Sequence, residues 1–323
     1  KAIQTFFTEG PGSTLRDSVS PEFWSDITHF EGNANAFRLL THRFCGRRPG
    51  GFVMTYPTLA SIVKYPYSSM LAGKKGKFGF FATEREVYER IADDLGLRRL
   101  SAPGEPLRCA RHPLVYLVEA ADDICYEIMD IEDAHKLRLL SYEETERLLL
   151  GFFAAEEQEH IRQRMVEEQL DDLNERVVYM RASAIGRLEG ECVRAFVDNE
   201  GSILAGDFEG SLVEAVSPAV RYAYRRCAEV SRKRIYRSKP VLDVELSGYK
   251  IMATLMEQMV DAVLHPDRYY SRQLIGRVSS QYDIASPDLE TRLMAVIDYI
   301  SGMTDIYALD VYQKMMGMAL PIV

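Results

Sequence analysis

The 323-residue chain is 47% hydrophobic and 27% charged, with a formal net charge of -9. That profile excludes an intrinsically disordered chain, and no apolar run approaches the roughly 20 residues of a membrane span. The acidic balance argues against indiscriminate binding to nucleic acid or anionic membranes, while leaving room for local basic sites.

The opening "KAIQTFFTEG" reads as the last turns of an amphipathic helix closed by Gly10, without the basic start or apolar core of a signal peptide. A chain that begins inside a helix is expected to have something upstream. Helices are then predicted at about 29–45 and 57–65. "TEREVYERIADDLG" opens with a capping box from Thr83 to Glu86 and stops at Gly96, and "SYEETERLLLGFF" repeats the device with Ser141 and Glu144. His112 followed by Pro113 reads as the cap and first position of an acidic helix. Further helices are predicted at about 155–197, 210–235, 241–264, 287–301 and 304–316. "RAFVDNEGSIL" could form a hairpin around residues 198–201, but a helix end and loop suits its neighbours better. Loops at 9–22, 46–54 and 68–82 are rich in Gly, Ser, Pro and basic residues, where binding groups tend to collect. The expectation is an all-α protein forming a single compact domain over residues 1–323. Five scattered cysteines with no CxxC suit a reducing, cytoplasmic setting and give no zinc-finger framework.

Three stretches carry candidate chemistry. In the acidic helix "YLVEAADDICYEIMDIEDA", Leu117, Ala121, Ile124, Ile128 and Ile131 fall on one helical stripe, predicted to face the core. Asp122, Tyr126 and Asp130, spaced i, i+4, i+8, stack along one edge. That row could be a site, or a solvated face with one boundary tyrosine. Lys64 precedes Tyr65-Pro66, and Lys74, Lys75 and Lys77 lie among three glycines before Phe78 and Phe80. Glycines let backbone amides approach an anion and lysines supply mobile positive charge, although a lysine-rich loop can simply be soluble. The stretch "RYAYRRCAEVSRKRIYRSK" at 221–239 holds eight Lys or Arg with three tyrosines. It suits a polyphosphate or single-stranded nucleic acid, an oligomer interface, or an ordinary helix surface. Glu157 and His160 have the ExxH spacing of a di-iron ligand pair, but a second pair is missing and the surrounding run is uniformly charged.

Taken together, "HFEGNANAFRLL" (29–40), "TYPTLASIVKYPYSS" (55–69), "KFGFFATERE" (77–86), "RHPLVYLVEAADDICYEIMDIEDA" (111–134) and "DYISGMTDIYALDVY" (298–312) resemble the HD-superfamily deoxynucleoside triphosphate triphosphohydrolases, the bacterial dGTPase-like proteins. The resemblance implies a compact multi-helix HD-domain-like phosphohydrolase fold. It implies metal-dependent hydrolysis of a dNTP, with dGTP favoured, to the deoxynucleoside and tripolyphosphate. It also implies a divalent ion, Mg or Mn first, with Ni, Co or Fe as further candidates.

The family's metal is held by His, a His-Asp pair and a later Asp, and the resemblance places that later Asp at Asp122. The other ligands and the family's catalytic His and Glu are expected upstream of Lys1. Tyr126 would pack against the deoxyribose and base, and Asp130 would accept a hydrogen bond from the sugar 3′-hydroxyl. Asn33, Lys64, Tyr65 and Lys77 match positions that grip the triphosphate, and Tyr236 and Glu245 match pocket residues nearer the base. Asp123 and Asp133 are left as structural. Relatives assemble as oligomers, often hexamers, and some respond to a nucleotide or single-stranded DNA effector. The alternatives are another HD-type nucleotide phosphohydrolase or a non-catalytic nucleotide- or DNA-binding regulator.

Overall fold

In the computed structural model, residues 1–47 and 51–318 are described, so residues 48–50 of the 46–54 loop lie outside the described residues. Among the described residues the protein is all-α, with no sheet and only isolated bridges. The chain divides into two compact units, residues 1–111 with the chain from Val244 onward, and residues 112–243. No helix among the described residues is long and apolar enough to cross a membrane.

The first unit contains α1 (Ala2–Thr8), α2 (Pro21–Thr28), α3 (Gly32–Thr41), α4 (Tyr56–Ser61) and α5 (Arg85–Asp94). Ser20 caps α2 by accepting from the Phe23 amide, and Pro21 follows at the first helical position. One core gathers Phe6, Phe7, Phe23, Ile27, Phe78 and Phe81 with Leu255, Met259, Leu293 and Ile297. A second gathers Phe37, Leu59, Val63, Phe80, Tyr88 and Ile91. The predicted Thr83–Glu86 capping box does not form. The Thr83 hydroxyl instead donates to Glu84 at 2.7 Å and accepts from Arg38 at 2.9 Å, and α5 starts without a side-chain cap. The buried charge network outcompetes the local cap.

The second unit contains α6 (Pro113–Lys136), α7 (Tyr142–Leu149), α8 (Ala155–Glu167), α9 (Leu173–Asp198), α10 (Glu200–Ala205), α11 (Leu212–Ala215) and α12 (Pro218–Val230). Here the Ser141–Glu144 capping box forms in full, and His112 caps α6 ahead of Pro113. The helix predicted over 155–197 is broken at 168–172, where Asp172 caps α9 by accepting from the Asn174 and Glu175 amides. Residues 198–201 form a helix end and the start of α10, with no hairpin. A π-turn, Ser231–Ile235, continues α12, closed by the Tyr236 amide donating to the Ser231 carbonyl at 2.9 Å.

Beyond these lie α13 (Lys239–Leu264), α14 (Tyr269–Ile275), α15 (Leu289–Ser301) and α16 (Asp305–Met315). In α6 the buried stripe runs through Tyr116, Ala120, Ile124, Ile128 and Ile131, packed with Met180, Ala184 and Leu188 of α9. It therefore enters one position earlier than predicted, and Leu117 and Ala121 are exposed. Stepping back by four from Ile124 gives Ala120 and Tyr116. Tyr116 can be buried because its hydroxyl donates to the Phe208 carbonyl at 2.8 Å.

Candidate functional site

In the first unit two of the candidate phosphate-binding side chains, Asn33 and Lys77, hang on one carboxylate. Glu31 sits in extended backbone at the N-cap of α3, where Oε1 accepts from the amides of Asn33 at 3.1 Å and Ala34 at 3.3 Å. An acidic cap satisfies orphan donors and suits the positive end of the helix dipole. Its second oxygen, Oε2, accepts from Asn33 Nδ2 at 2.9 Å and from Lys77 Nζ at 3.1 Å. Glu31 is buried, whereas Asn33 and Lys77 are half-buried.

Lys77 is placed by its neighbours. Gly76 adopts φ +61, and Phe78, Phe80 and Phe81 are fully buried beyond it. Phe81 stacks on Phe30, the residue before Glu31, with ring centroids 5.7 Å apart. Gly79 then runs directly against the Lys64–Tyr65 segment. A Cβ there would lie 2.2 Å from the Tyr65 carbonyl oxygen, so only glycine allows the approach. Its amide donates to the Tyr67 carbonyl at 3.0 Å. The Lys64 carbonyl accepts from Arg111 Nε at 2.9 Å, and its ammonium lies 6.0 Å from the Tyr65 ring centroid. The structure thus brings the Asn33, Lys64–Tyr65 and Lys77 segments together within this unit. Lys74 and Lys75 are exposed.

In the second unit, Asp122 and Tyr126 are exposed on α6, Tyr126 at 67%. Asp130 is half-buried and accepts a close hydrogen bond from the Tyr236 hydroxyl, so two predicted site residues meet directly. Burial first, and then this contact, pushes the Tyr236 phenol well above its ordinary pKa. The π-turn also turns the buried Ser231 onto Glu127, donating at 2.7 Å, and burial raises that carboxyl despite the hydrogen bond. Asp133 lies 3.9 Å from Lys136, and the Asp123 carbonyl accepts from the Tyr224 hydroxyl at 3.3 Å. Glu245 is exposed on α13.

Asp122 can offer one ligand to a metal ion. Among the described residues no group of three or more His, Cys, Asp or Glu side chains could complete a shell, so these residues alone do not fit the implied ion. Glu157 is taken by Arg187 and the Ala154 amide rather than presented with His160. The basic stretch lines a groove of about 750 Å³ with Tyr224, Arg225, Arg232, Lys233 and Arg237. Arg225 pairs there with Glu214, and Lys233 pairs with Glu229.

Sequence reasoning missed Glu31, Glu127 and the cluster around Arg38. Arg38 of α3 forks onto Asp298 at 2.8 and 2.7 Å and reaches Glu84 at 2.6 Å, with all three side chains buried. This pair joins two of the segments that carried the family resemblance. The available signal for Glu31 was an acidic residue immediately before the Gly-Asn that starts a helix.

Comparison with known proteins agrees with these motifs. A deoxyguanosinetriphosphate triphosphohydrolase-like protein of Pseudomonas aeruginosa is 34% identical over 329 residues, covering 99% of this chain and 73% of the relative. The chain belongs to the deoxyguanosinetriphosphate triphosphohydrolase-like family. A like-named protein of Synechocystis is 32% identical, covering 99% of this chain and 72% of its own length. The deoxyguanosinetriphosphate triphosphohydrolase of Yersinia enterocolitica is 25% identical, covering 95% of this chain and 67% of its own length. Residues 215–314 match the phosphohydrolase-associated domain. Family membership places the protein among the nucleotide phosphohydrolases of HD type.

Proposed function

We propose that this family member hydrolyses a deoxynucleoside triphosphate, dGTP first, to the deoxynucleoside and inorganic tripolyphosphate. Water attacks the α-phosphorus, the bond to the sugar O5′ breaks, and O5′ leaves protonated as the nucleoside hydroxyl. The observation that supports the reading is that Glu31 holds Asn33 and Lys77 together in the same unit in which Gly79 packs against the backbone of the Lys64–Tyr65 segment. Cationic and amide donors held in place offset the roughly four negative charges of a triphosphate at little reorganisation cost.

In this reading Asp130 holds the sugar 3′-hydroxyl. The Tyr126 ring lies against the deoxyribose, leaving no room for a 2′-hydroxyl, and Tyr236 and Glu245 serve the base side. Asp122 is proposed as this chain's one ligand to a divalent cation, Mg or Mn before Ni, Co or Fe. The proposal extends to a cytoplasmic homo-oligomer, with a hexamer as the favoured assembly. The groove lined by Arg232 and Arg237 favours an added role for a nucleotide or single-stranded DNA effector there.

The test is product identity. The full-length protein is incubated with dGTP and Mg or Mn, and products are followed by phosphorus NMR and chromatography. Deoxyguanosine and tripolyphosphate are expected. Formation of dGMP or dGDP, or binding without turnover, would replace this reading with another phosphohydrolase or with a nucleotide-binding regulator.

A further inference from the structure

We infer that Glu31 is a positioning residue for the triphosphate, holding Asn33 and Lys77 in the register in which they meet it. The inference rests on the proposed phosphate role of those two residues and adds a residue that touches no substrate.

A helix cap needs only one acceptor oxygen, and Ser, Thr, Asp or Asn would serve it better than Glu. Glu31 uses Oε1 for that purpose and has a second oxygen left over. Burial of an ionised carboxylate is costly unless it is fully hydrogen-bonded, and Oε2 meets that requirement by accepting from Asn33 Nδ2 and Lys77 Nζ. Two side chains separated by 44 positions in sequence are thereby held on one atom.

The consequence for Asn33 is specific. An amide nitrogen donating to Glu31 fixes which end of the side chain is which, and its second N–H remains as a donor for an incoming oxygen. For Lys77, a flexible four-carbon stem is tied at its tip. Much of the rotamer entropy that phosphate binding would otherwise cost is already spent in the free protein. An arriving triphosphate can share the ammonium, which has three donors, without breaking the Glu31 contact.

Two substitutions separate this role from capping. Glu31→Asp keeps the charge and a preferred cap residue but shortens the side chain by one methylene, too far from Lys77 to hold it. Glu31→Gln keeps the length and a cap acceptor but turns an amide N–H₂ toward two donors, repelling Lys77 and flipping Asn33.

For both variants the KM for dGTP should rise about tenfold, the scale of one charge-assisted contact, with a smaller change in kcat. Deoxyguanosine binding should stay unchanged, and melting should remain within a few degrees. Lys77→Ala should cost about tenfold or more in the wild type but no more than about threefold in the Glu31→Asp background, since coupled residues are non-additive. A cap-only role predicts that Glu31→Asp is silent in KM, and that result overturns the inference, as does full multiplication of the Glu31→Asp and Lys77→Ala losses. A silent Lys77→Ala in the wild type removes the phosphate reading together with this inference. A costly Lys77→Ala beside a silent Glu31→Asp overturns the inference alone.

Discussion

The Tyr236 hydroxyl donates to Oδ2 of Asp130. A 3′-hydroxyl arriving at Asp130 must therefore share that carboxylate with the phenol or displace it. Because burial and the contact itself raise the phenol's pKa, Tyr236 stays a neutral donor across the physiological range. The carboxylate that the family resemblance assigned to the sugar already carries a hydrogen bond from a protein group.

That relationship sets the first prediction. Asp130→Asn should lower kcat/KM for dGTP by roughly ten- to a hundredfold, the range for a lost charge-assisted hydrogen bond. It should also erase discrimination between dGTP and its dideoxy analogue, whereas Tyr236→Phe should preserve it. If Asp130→Asn still rejects the dideoxy compound, the sugar contact lies elsewhere.

The Tyr126 ring is 67% exposed, so its loss should leave stability within about 0.5 kcal/mol. Any effect of Tyr126→Ala on turnover then reports on ligand rather than fold. The expected outcome is weaker dNTP turnover and a narrower gap between dGTP and GTP. An unchanged ratio for the two substrates would leave Tyr126 without a role in sugar selection.

Residues 112–136 show why the fold was legible and parts of the site were not. Pattern and caps are local: His112-Pro113 starts α6, and the Ile124, Ile128 and Ile131 stripe faces the core as the helical period requires. What failed was the entry of that stripe. Tyr116 lies on the stripe in steps of four back from Ile124, and it can be buried there because Phe208, 92 positions away, supplies a carbonyl for its hydroxyl. Glu31 and Arg38 were hidden for the same reason, since their partners at 77, 84 and 298 come from other elements. The π-turn that carries Tyr236 to Asp130 leaves no mark in a hydrophobic pattern.

Asp26 of α2 provides a pH prediction. It is almost fully buried, with Oδ2 accepting from the Ala82 amide at 2.8 Å and the buried Ser69 hydroxyl beside the carboxyl. Burial pushes its pKa from an ordinary 3.8 up to about 7. A folded-state pKa above the unfolded one means that ionisation destabilises the fold. The penalty is absent below about pH 4, grows between pH 4 and 7 and is complete above that, on the order of 4 kcal/mol by linkage. Asp26→Asn keeps an acceptor for Ala82 and cannot ionise. Its stability advantage over the wild type should therefore widen from pH 5 to pH 8 in urea titrations. Parallel curves for the two proteins would show that the Asp26 pKa is not raised in the fold.

The buried Arg38 cluster yields the largest expected stability effect. Arg38→Ala strips the guanidinium from buried Asp298 and leaves Glu84 with only Thr83 and His42, a change that costs about 3–5 kcal/mol when a buried pair is broken. Lysine should not rescue it, because a single ammonium cannot reproduce the fork onto both Asp298 oxygens while also reaching Glu84. Neutralising all three positions in Arg38→Met, Glu84→Gln, Asp298→Asn should recover a substantial part of the loss, since the stranded charges are then gone. Trp24 is the chain's only tryptophan and packs against the core of the same unit, so its fluorescence reports the relevant unfolding directly. The comparison to make is the urea midpoint of the single and triple variants followed at Trp24. A single Arg38→Ala protein that unfolds at the wild-type midpoint would mean that the cluster does not hold α3 to α15, and that family resemblance at 29–40 and 298–312 reflects something other than this clamp.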